Sequence, residues 1–461
     1  MWLRFLDRTE ELARLRALFA RRHRSMAVVY GRRRCGKSRL LLEALPPGPA
    51  IYYAADERES TLQRTAMAAE IARHLPDFDR VTYPEWDALL ARLWAEAPSH
   101  TVLALDEFPA LAATAPELPS LLQKYVDRPA AAGPHLVLAG SSQRMMQGLI
   151  LDRSAPLFGR ATEVLKIGPL SCGWIQEALE IPDPLAAIEA YAVWGGVPRY
   201  WELAADFPNL RSAYSALVLS PLGVLHDEPA RLLLDDLRDT AQAASILSLI
   251  GQGCHRVSEI AGRLAKPSTS LSRPLGRLLD LGLVRRDLPF GASVRDSKRS
   301  LYRISDPFLR FWFRFVEPGR SRLESGQVDL VAREIDAGFS RHVSGIWEDL
   351  VRESVPRGRY FNRTWGPARS WWGPGRDRSP LEIDLIAEST DGKALLLGEA
   401  KWTVRTNLDR LASVLAQKAD NLPLAEGRRL CLGLWTVADG GRPVVGRSDR
   451  FGPAKVLEIL K

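Results

Sequence analysis

Four cysteines are all that this 461-residue chain contains, and Cys35, Cys172, Cys254 and Cys431 lie far apart with no C-x-x-C pair. That spacing argues against a disulfide framework and a cysteine zinc site, and makes a reducing cytoplasm the expected compartment. No apolar run reaches the length of a membrane span, and residues 1–5 lack the apolar core of a signal peptide. Internal repeats and low-complexity tracts are missing too. What remains is an ordinary globular composition, 46% hydrophobic and 26% charged, with length for about three domains. The net charge of +8 favours a polyanionic partner, nucleic acid and DNA first of all.

The stretch that organises the chain is Gly31-Arg32-Arg33-Arg34-Cys35-Gly36-Lys37-Ser38. An apolar run, Met26-Ala27-Val28-Val29-Tyr30, precedes it as a buried strand, and Arg39-Leu40-Leu41-Leu42 opens a helix after it. Strand, G-x-x-x-x-G-K-S, helix is the context of a phosphate-binding P-loop. Gly31 and Gly36 let backbone N–H groups approach phosphate oxygens, Lys37 can reach the β- and γ-phosphates, and Ser38 can hold Mg²⁺. ATP with Mg²⁺ is therefore the expected ligand. Its expected contacts are Gly31, Arg32, Arg33, Arg34, Cys35, Gly36, Lys37, Ser38 and Arg39, with Ser141 further on.

The strand Thr101-Val102-Leu103-Ala104-Leu105 delivers Asp106 and Glu107 at its end. Asp106 would hold Mg²⁺ through water and Glu107 would orient or deprotonate the attacking water. A further strand, His135 to Gly140, ends in Ser141-Ser142, which could touch the γ-phosphate or cap the next helix. Arg160 is a candidate arginine finger. Alternating strands and helices predict an α/β fold with a parallel sheet and ligand at the strands' C-terminal ends.

Phe5-Leu6-Asp7-Arg8, the Gly31-Arg32-Arg33-Arg34 opening, Asp106-Glu107, Gly140-Ser141-Ser142 and Gly195-Gly196-Val197-Pro198 resemble the archaeal-type P-loop ATPases, relatives of the STAND and AAA+ proteins. The resemblance implies an ASCE-type ATPase core over residues 1–165 and a helical lid over 166–238. Trp194, Tyr200 and Trp201 are expected in the lid's core.

Three short helices and a hairpin over residues 239–318 follow the order of a winged helix-turn-helix. Ser268, Thr269, Ser270, Ser272 and Arg273 would face DNA, and Arg295, Lys298 and Arg299 would form a basic wing. Pro274 is tolerated only in the first turn of the third helix. Winged helices also bind proteins, so a protein partner or a homo-oligomer is the other expectation. Ser305 to Trp312 again resembles the archaeal-type ATPases.

In residues 319–461, Leu381 to Glu388 and Ala394 to Lys401 alternate around Asp391-Gly392, a strong hairpin signal. With those two residues at the turn's centre, Asp384 falls opposite Glu399 and Glu382 opposite Lys401, all on one face. Facing like charges destabilise a sheet unless a cation lies between them. D…E-x-K on a hairpin, with Glu348 from a preceding helix, resembles the PD-(D/E)XK or restriction-endonuclease-like α/β fold. The resemblance implies metal ligands Glu348, Asp384 and Glu399, a catalytic Lys401, and a following helix with Gln417. Arginines interleaved with Tyr360, Phe361, Trp365, Trp371 and Trp372 could grip nucleic acid. The expected function is thus an ATPase, with Lys37 and Glu107 catalytic, that controls a DNA-binding, Mg²⁺-dependent nuclease module. The alternative is an ATP-switched DNA-binding regulator whose nuclease-like domain is inactive.

Overall fold

Strand β1 (Met26–Tyr30) takes the apolar run before the glycine-rich loop, and β2 (Ala50–Ala54), β3 (Val102–Asp106), β4 (His135–Gly140) and β5 (Glu163–Lys166) join it. These assignments come from a computed structural model, which describes residues 3–98, 100–128, 133–237, 239–293, 295, 299–403, 407–425, 427–437 and 448–461. Among the described residues the sheet is wholly parallel, in the order β2-β3-β4-β1-β5. Alternate residues of each strand point to opposite faces, and both faces are covered. Met26, Val28, Leu103 and Leu105 enter one core, and Ala27, Val29, Val102 and Ala104 the other. Burial on both faces is why these strands read as continuous apolar runs. Strand β5 has one buried residue in four, which hides it from an apolar-run reading.

No side chain caps the start of the first helix. The helix Thr9–Phe19 starts after Arg8, whose backbone is left-handed, and Arg8 instead bonds Glu11 and the carbonyl of Gly168.

Phe5–Leu170 with Leu234–Arg238 form one compact unit, and Ser171–Leu233 with Asp239–Lys461 and Met1–Arg4 form a second. The second unit opens with a run of helices, in which Trp194, Tyr200 and Trp201 are fully buried as expected. Helices Thr240–Gly251, Val257–Arg263 and Ser272–Asp280 follow, then the antiparallel pair β6 (Val284–Asp287) and β7 (Leu301–Ile304). Pro274 is the third residue of its helix, so its missing N–H costs no intrahelical bond.

The long helix Val328–Ser354 leads into a mixed sheet. Its strands are β8 (Arg369–Pro374), β9 (Pro380–Glu388), β10 (Ala394–Lys401), β11 (Arg429–Thr436) and β12 (Ser448–Phe451), in the order β12-β11-β10-β9-β8. β8, β9 and β10 pair antiparallel, whereas β10, β11 and β12 run parallel. Gly398 pairs with Leu385 and Leu395 with Glu388, and that register carried one residue on sets Asp384 against Glu399. Among the described residues no helix is long and apolar enough to cross a membrane.

Candidate functional site

The glycine-rich loop needs its glycines for two different reasons. Gly31 has φ of 145°, and a Cβ there would collide with the carbonyl of Ile167. Gly36 has φ of 85° with open space around it, so its demand is conformational alone. Lys37 Nζ lies 2.9 Å from the carbonyl oxygen of Gly31 and 3.1 Å from that of Arg32, folded back over its own loop. Burial lowers its pKa, and Glu107, Cys35, Asp106 and Asp236 pull the other way.

Asp106 and Glu107 stand at the end of β3. Glu107 adopts a left-handed backbone, φ 51°, a strained conformation for a residue with a side chain. Its Oε2 accepts from the amide of Ser141 at 3.2 Å and from the Ser141 hydroxyl at 3.0 Å. Asp106 Oδ1 accepts from the Glu107 amide at 2.9 Å, and Oδ2 accepts from the Tyr52 hydroxyl at 2.6 Å. Burial and Asp106 push the Tyr52 phenol well up, and Ser38 is a further hydrogen-bonding neighbour of that phenol. One hydroxyl thus reaches both Ser38 and Asp106, which sets them close enough to share a hydrated Mg²⁺. The residues fit that ion.

Three residues here escaped sequence reasoning. Tyr52 comes from β2 with no motif around it. Asp235 and Asp236, at the end of helix Glu228–Asp236, face the loop's rim. Asp235 pairs with Arg33 at 3.3 Å, and Asp236 accepts from Ser142 Oγ at 3.1 Å while burial raises its pKa. Arg39 leans toward Glu43 at 3.9 Å, and Cys35 is buried in the core behind the loop. Arg160 is not brought to this site. Its guanidinium forms a two-pronged pair with Asp127, at 2.7 and 2.8 Å, and also donates to two carbonyls of its own turn. It is a structural arginine rather than a finger in cis.

In the second unit the expected carboxylates do come together. Lys401 Nζ lies 2.8 Å from Asp384 Oδ2 and 2.9 Å from Glu399 Oε2, so one ammonium bridges both. Asp384 Oδ2 also accepts from the Ala400 amide at 3.0 Å. The other Glu399 oxygen is taken by Lys418 at 2.5 Å. Gln417, the expected helix residue, is exposed, and Lys418 occupies the inner position instead. Glu348 stands beside Asp384 and 3.8 Å from Arg352, and burial, then Asp384, pushes its carboxyl up to about 7. Burial and Asp384 raise Glu399 as well, while Asp384 and Glu399 hold the Lys401 ammonium well above its ordinary value against the cost of its burial.

This donor set does not fit a metal as it stands. Among the described residues no three acidic, histidine or cysteine side chains form a group that could hold one. The expected shell of Glu348, Asp384 and Glu399 is corrected on physical grounds: Lys401 and Lys418 take both oxygens of Glu399, and Lys401 also holds Asp384 Oδ2. Behind the cluster, Asp349 accepts from Arg285 at 2.6 Å, Arg310 at 2.8 Å and Arg352 at 2.6 Å, and Arg352 also donates to the Asp384 carbonyl at 2.8 Å. Those four charges tie strand β6 to the carboxylate cluster.

The other nucleic-acid candidates divide. Ser268, Thr269, Ser270, Ser272 and Arg273 are exposed, as the reading helix of a winged helix requires. Lys298 lies outside the described residues, Arg295 is exposed, and Arg299 donates to the carbonyl of Trp372 rather than facing solvent. Tyr360, Trp365 and Trp371 are buried and so cannot stack on bases, which removes three of the five expected aromatics, whereas Phe361 and Trp372 are partly exposed.

Comparison with known proteins follows the same division. Residues 5–202 match a family described as an ATPase domain predominantly from Archaea. That stretch is thus similar to archaeal ATPase domains. Residues 312–412 match a second family, described as archaeal and bacterial proteins of unknown function. An uncharacterised protein of Methanocaldococcus jannaschii is 29% identical over 405 residues, spanning 86% of this chain and 87% of that one. Among solved structures, the Walker-type ATPase of Pyrococcus abyssi is similar at 19% identity with a TM-score of 0.51, over 67% of this chain and 96% of that one. That likeness shows the fold. The ORC2 protein of Aeropyrum pernix is a looser match, 17% identical with a TM-score of 0.40, over 73% of this chain and 97% of its own.

Proposed function

We propose that this archaeal-type ATPase hydrolyses ATP and that its nucleotide state controls a DNA-binding, nuclease-like module on the same chain. The observation that carries the first half is the hold of Ser141 on Glu107 at the end of β3, in the same site as Lys37. With Oε2 occupied by Ser141, Glu107 Oε1 is left to accept a hydrogen bond from the attacking water and then its proton. Lys37 exchanges the carbonyls of Gly31 and Arg32 for phosphate oxygens and neutralises charge as it develops. Mg²⁺ between Ser38 and Asp106 would screen the β- and γ-phosphates. Lys37→Ala should abolish nucleotide binding. Glu107→Gln should bind ATP and not turn it over. Turnover of Glu107→Gln at the rate of the unaltered chain would sink this assignment.

For the second half, support comes from the exposed Ser268 to Arg273 turn and from the convergence of Glu348, Asp384, Glu399 and Lys401. The crowding of Glu348 against Asp384 favours the reading in which the module cuts nucleic acid. The hold of Lys401 and Lys418 on both carboxylates favours the second reading, in which it only grips. Incubating the chain with plasmid and single-stranded DNA, with and without ATP and Mg²⁺ or Mn²⁺, separates them. Cleavage lost in Asp384→Asn but kept in Glu107→Gln supports the nuclease. Binding without cleavage in every condition supports the regulator.

A further inference from the structure

Behind strand β7 the second unit holds a cavity of about 500 Å³, and four arginines line it: Arg303, Arg310, Arg314 and Arg341. They come from different places: β7, the helix Pro307–Phe311, the turn after it, and the long helix Val328–Ser354. Among the described residues no acidic side chain lines the space. Arg303 and Arg310 have carboxylate partners outside it, Asp287 at 3.2 Å and Asp349 at 2.8 Å. Arg314 and Arg341 enter no ion pair among the described residues. Arg314 is half-buried, and the charges nearest to it are the cations Arg341 and Arg310, so burial and repulsion both lower its pKa. Such a gathering of like charges costs stability unless an anion joins it.

A second observation points the same way. His342, in the cavity wall, is 1% exposed and donates from Nε2 to the Ala192 carbonyl at 2.8 Å. Its Nδ1 is left buried with no hydrogen-bond partner among the described residues. Burial drives the ring's pKa down to about 3, so Nδ1 is a bare acceptor at ordinary pH. That atom is sealed among Phe311, Phe315 and Phe339, so the ring adds no charge to a wall in which every ionised group is an arginine. Arginine forks favour phosphate geometrically as well as electrostatically. The volume lies within the range of small-molecule sites, and a concave space walled by four elements suits a compact ligand better than a duplex.

We infer that this cavity binds a small phosphorylated ligand, an organic phosphate of up to nucleotide size, at a site separate from the glycine-rich loop. Arg310 faces both the cavity and Asp349, so ligand charge would bear on the same arginine cluster that reaches the Asp384 carbonyl.

Calorimetric titration at low salt tests this, using full-length Lys37→Ala to silence the glycine-rich loop and inorganic pyrophosphate as the probe. Pyrophosphate should bind that variant, and adding Arg314→Gln or Arg341→Gln should weaken it at least about tenfold for each lost charge-assisted contact. Arg341 is exposed, so its variant carries the test alone if Arg314→Gln does not fold. ATP binding in a chain with Lys37 intact should be unaffected by Arg341→Gln. Absence of pyrophosphate binding at millimolar concentration, or equal binding with and without the arginines, overturns the inference. A parallel titration with a duplex of about 20 base pairs distinguishes the source of phosphate. Duplex binding that needs Arg314 and Arg341, without pyrophosphate binding, also overturns it.

Discussion

Ser141 holds Glu107 by a single oxygen, with its amide 3.2 Å and its hydroxyl 3.0 Å from Oε2. The other oxygen is left for water. Ser141→Ala removes the hydroxyl and keeps the amide, a loss of about 1 kcal/mol in orientation. ATP turnover should fall roughly fivefold, with nucleotide affinity unchanged. A parallel measurement of both constants checks this, and equal loss in each would make Ser141 a phosphate contact instead.

Tyr52 competes for the corner that Ser38 and Asp106 would offer to Mg²⁺. Tyr52→Phe frees Asp106 Oδ2 from a donor 2.6 Å away. The Mg²⁺ concentration for half-maximal ATP turnover should drop about fivefold, as one hydrogen bond of roughly 1 kcal/mol is removed. An unchanged Mg²⁺ requirement would place Tyr52 outside that corner.

Glu348 gives the second unit a pH dependence. Its carboxyl sits at about 7 against an ordinary 4.5, so between those values the folded chain holds a proton that the unfolded chain has lost. Stability is therefore highest at the acid end, falls as pH rises through that window and levels off above it. The effect is up to about 3 kcal/mol. Unfolding free energies from urea titrations at pH 5 and pH 8 should differ for the unaltered chain by up to that much more than for Glu348→Gln.

Lys418 is the partner that sequence reasoning did not supply. Lys418→Met leaves the buried Glu399 with Lys401 alone and should cost about 3 kcal/mol. Glu399→Gln in the same chain should recover part of that, because the uncompensated charge is gone. Chemical denaturation of the two variants decides it, and a harmless Lys418→Met would show that the pair carries no weight.

Exposed Arg273, at the start of its helix, is a phosphate contact in the DNA-binding reading. Arg273→Ala should weaken duplex binding evenly across sequences and reduce the salt slope by about one. Loss confined to particular sequences would make it a base contact.

Local chemistry made the P-loop and the Asp106-Glu107 pair legible, because each motif lies within one strand and the turn after it. The β9–β10 register was legible for a subtler reason. The loop closes at Ser389 and Ala394, whose backbones bond at 2.9 Å, so it is wider than the two-residue turn predicted around Asp391-Gly392. Adding residues evenly to both sides of a turn leaves its centre, and hence every pair beyond it, unchanged. Tyr52, Asp236 and Lys418 were not legible, since only tertiary packing brings them to their sites. The aromatic segment misled because buried Tyr360, Trp365 and Trp371 and surface arginines alternate along the chain just as a binding stripe would.

Gly173, near the start of the second unit's helical run, has no room for a Cβ, because the backbone of Leu457, Leu460 and Lys461 presses against it. The last helix, Pro453–Ile459, is thus seated on the first turn of that run. During synthesis that seat stays empty until the final strands have emerged, so the core of the helical run waits on residues far along the chain. Contacts so distant in sequence fold slowly. A nascent chain stalled before residue 453 should therefore expose the hydrophobics of that run to chaperones, a vulnerability that the parallel sheet, closed by residue 166, does not share.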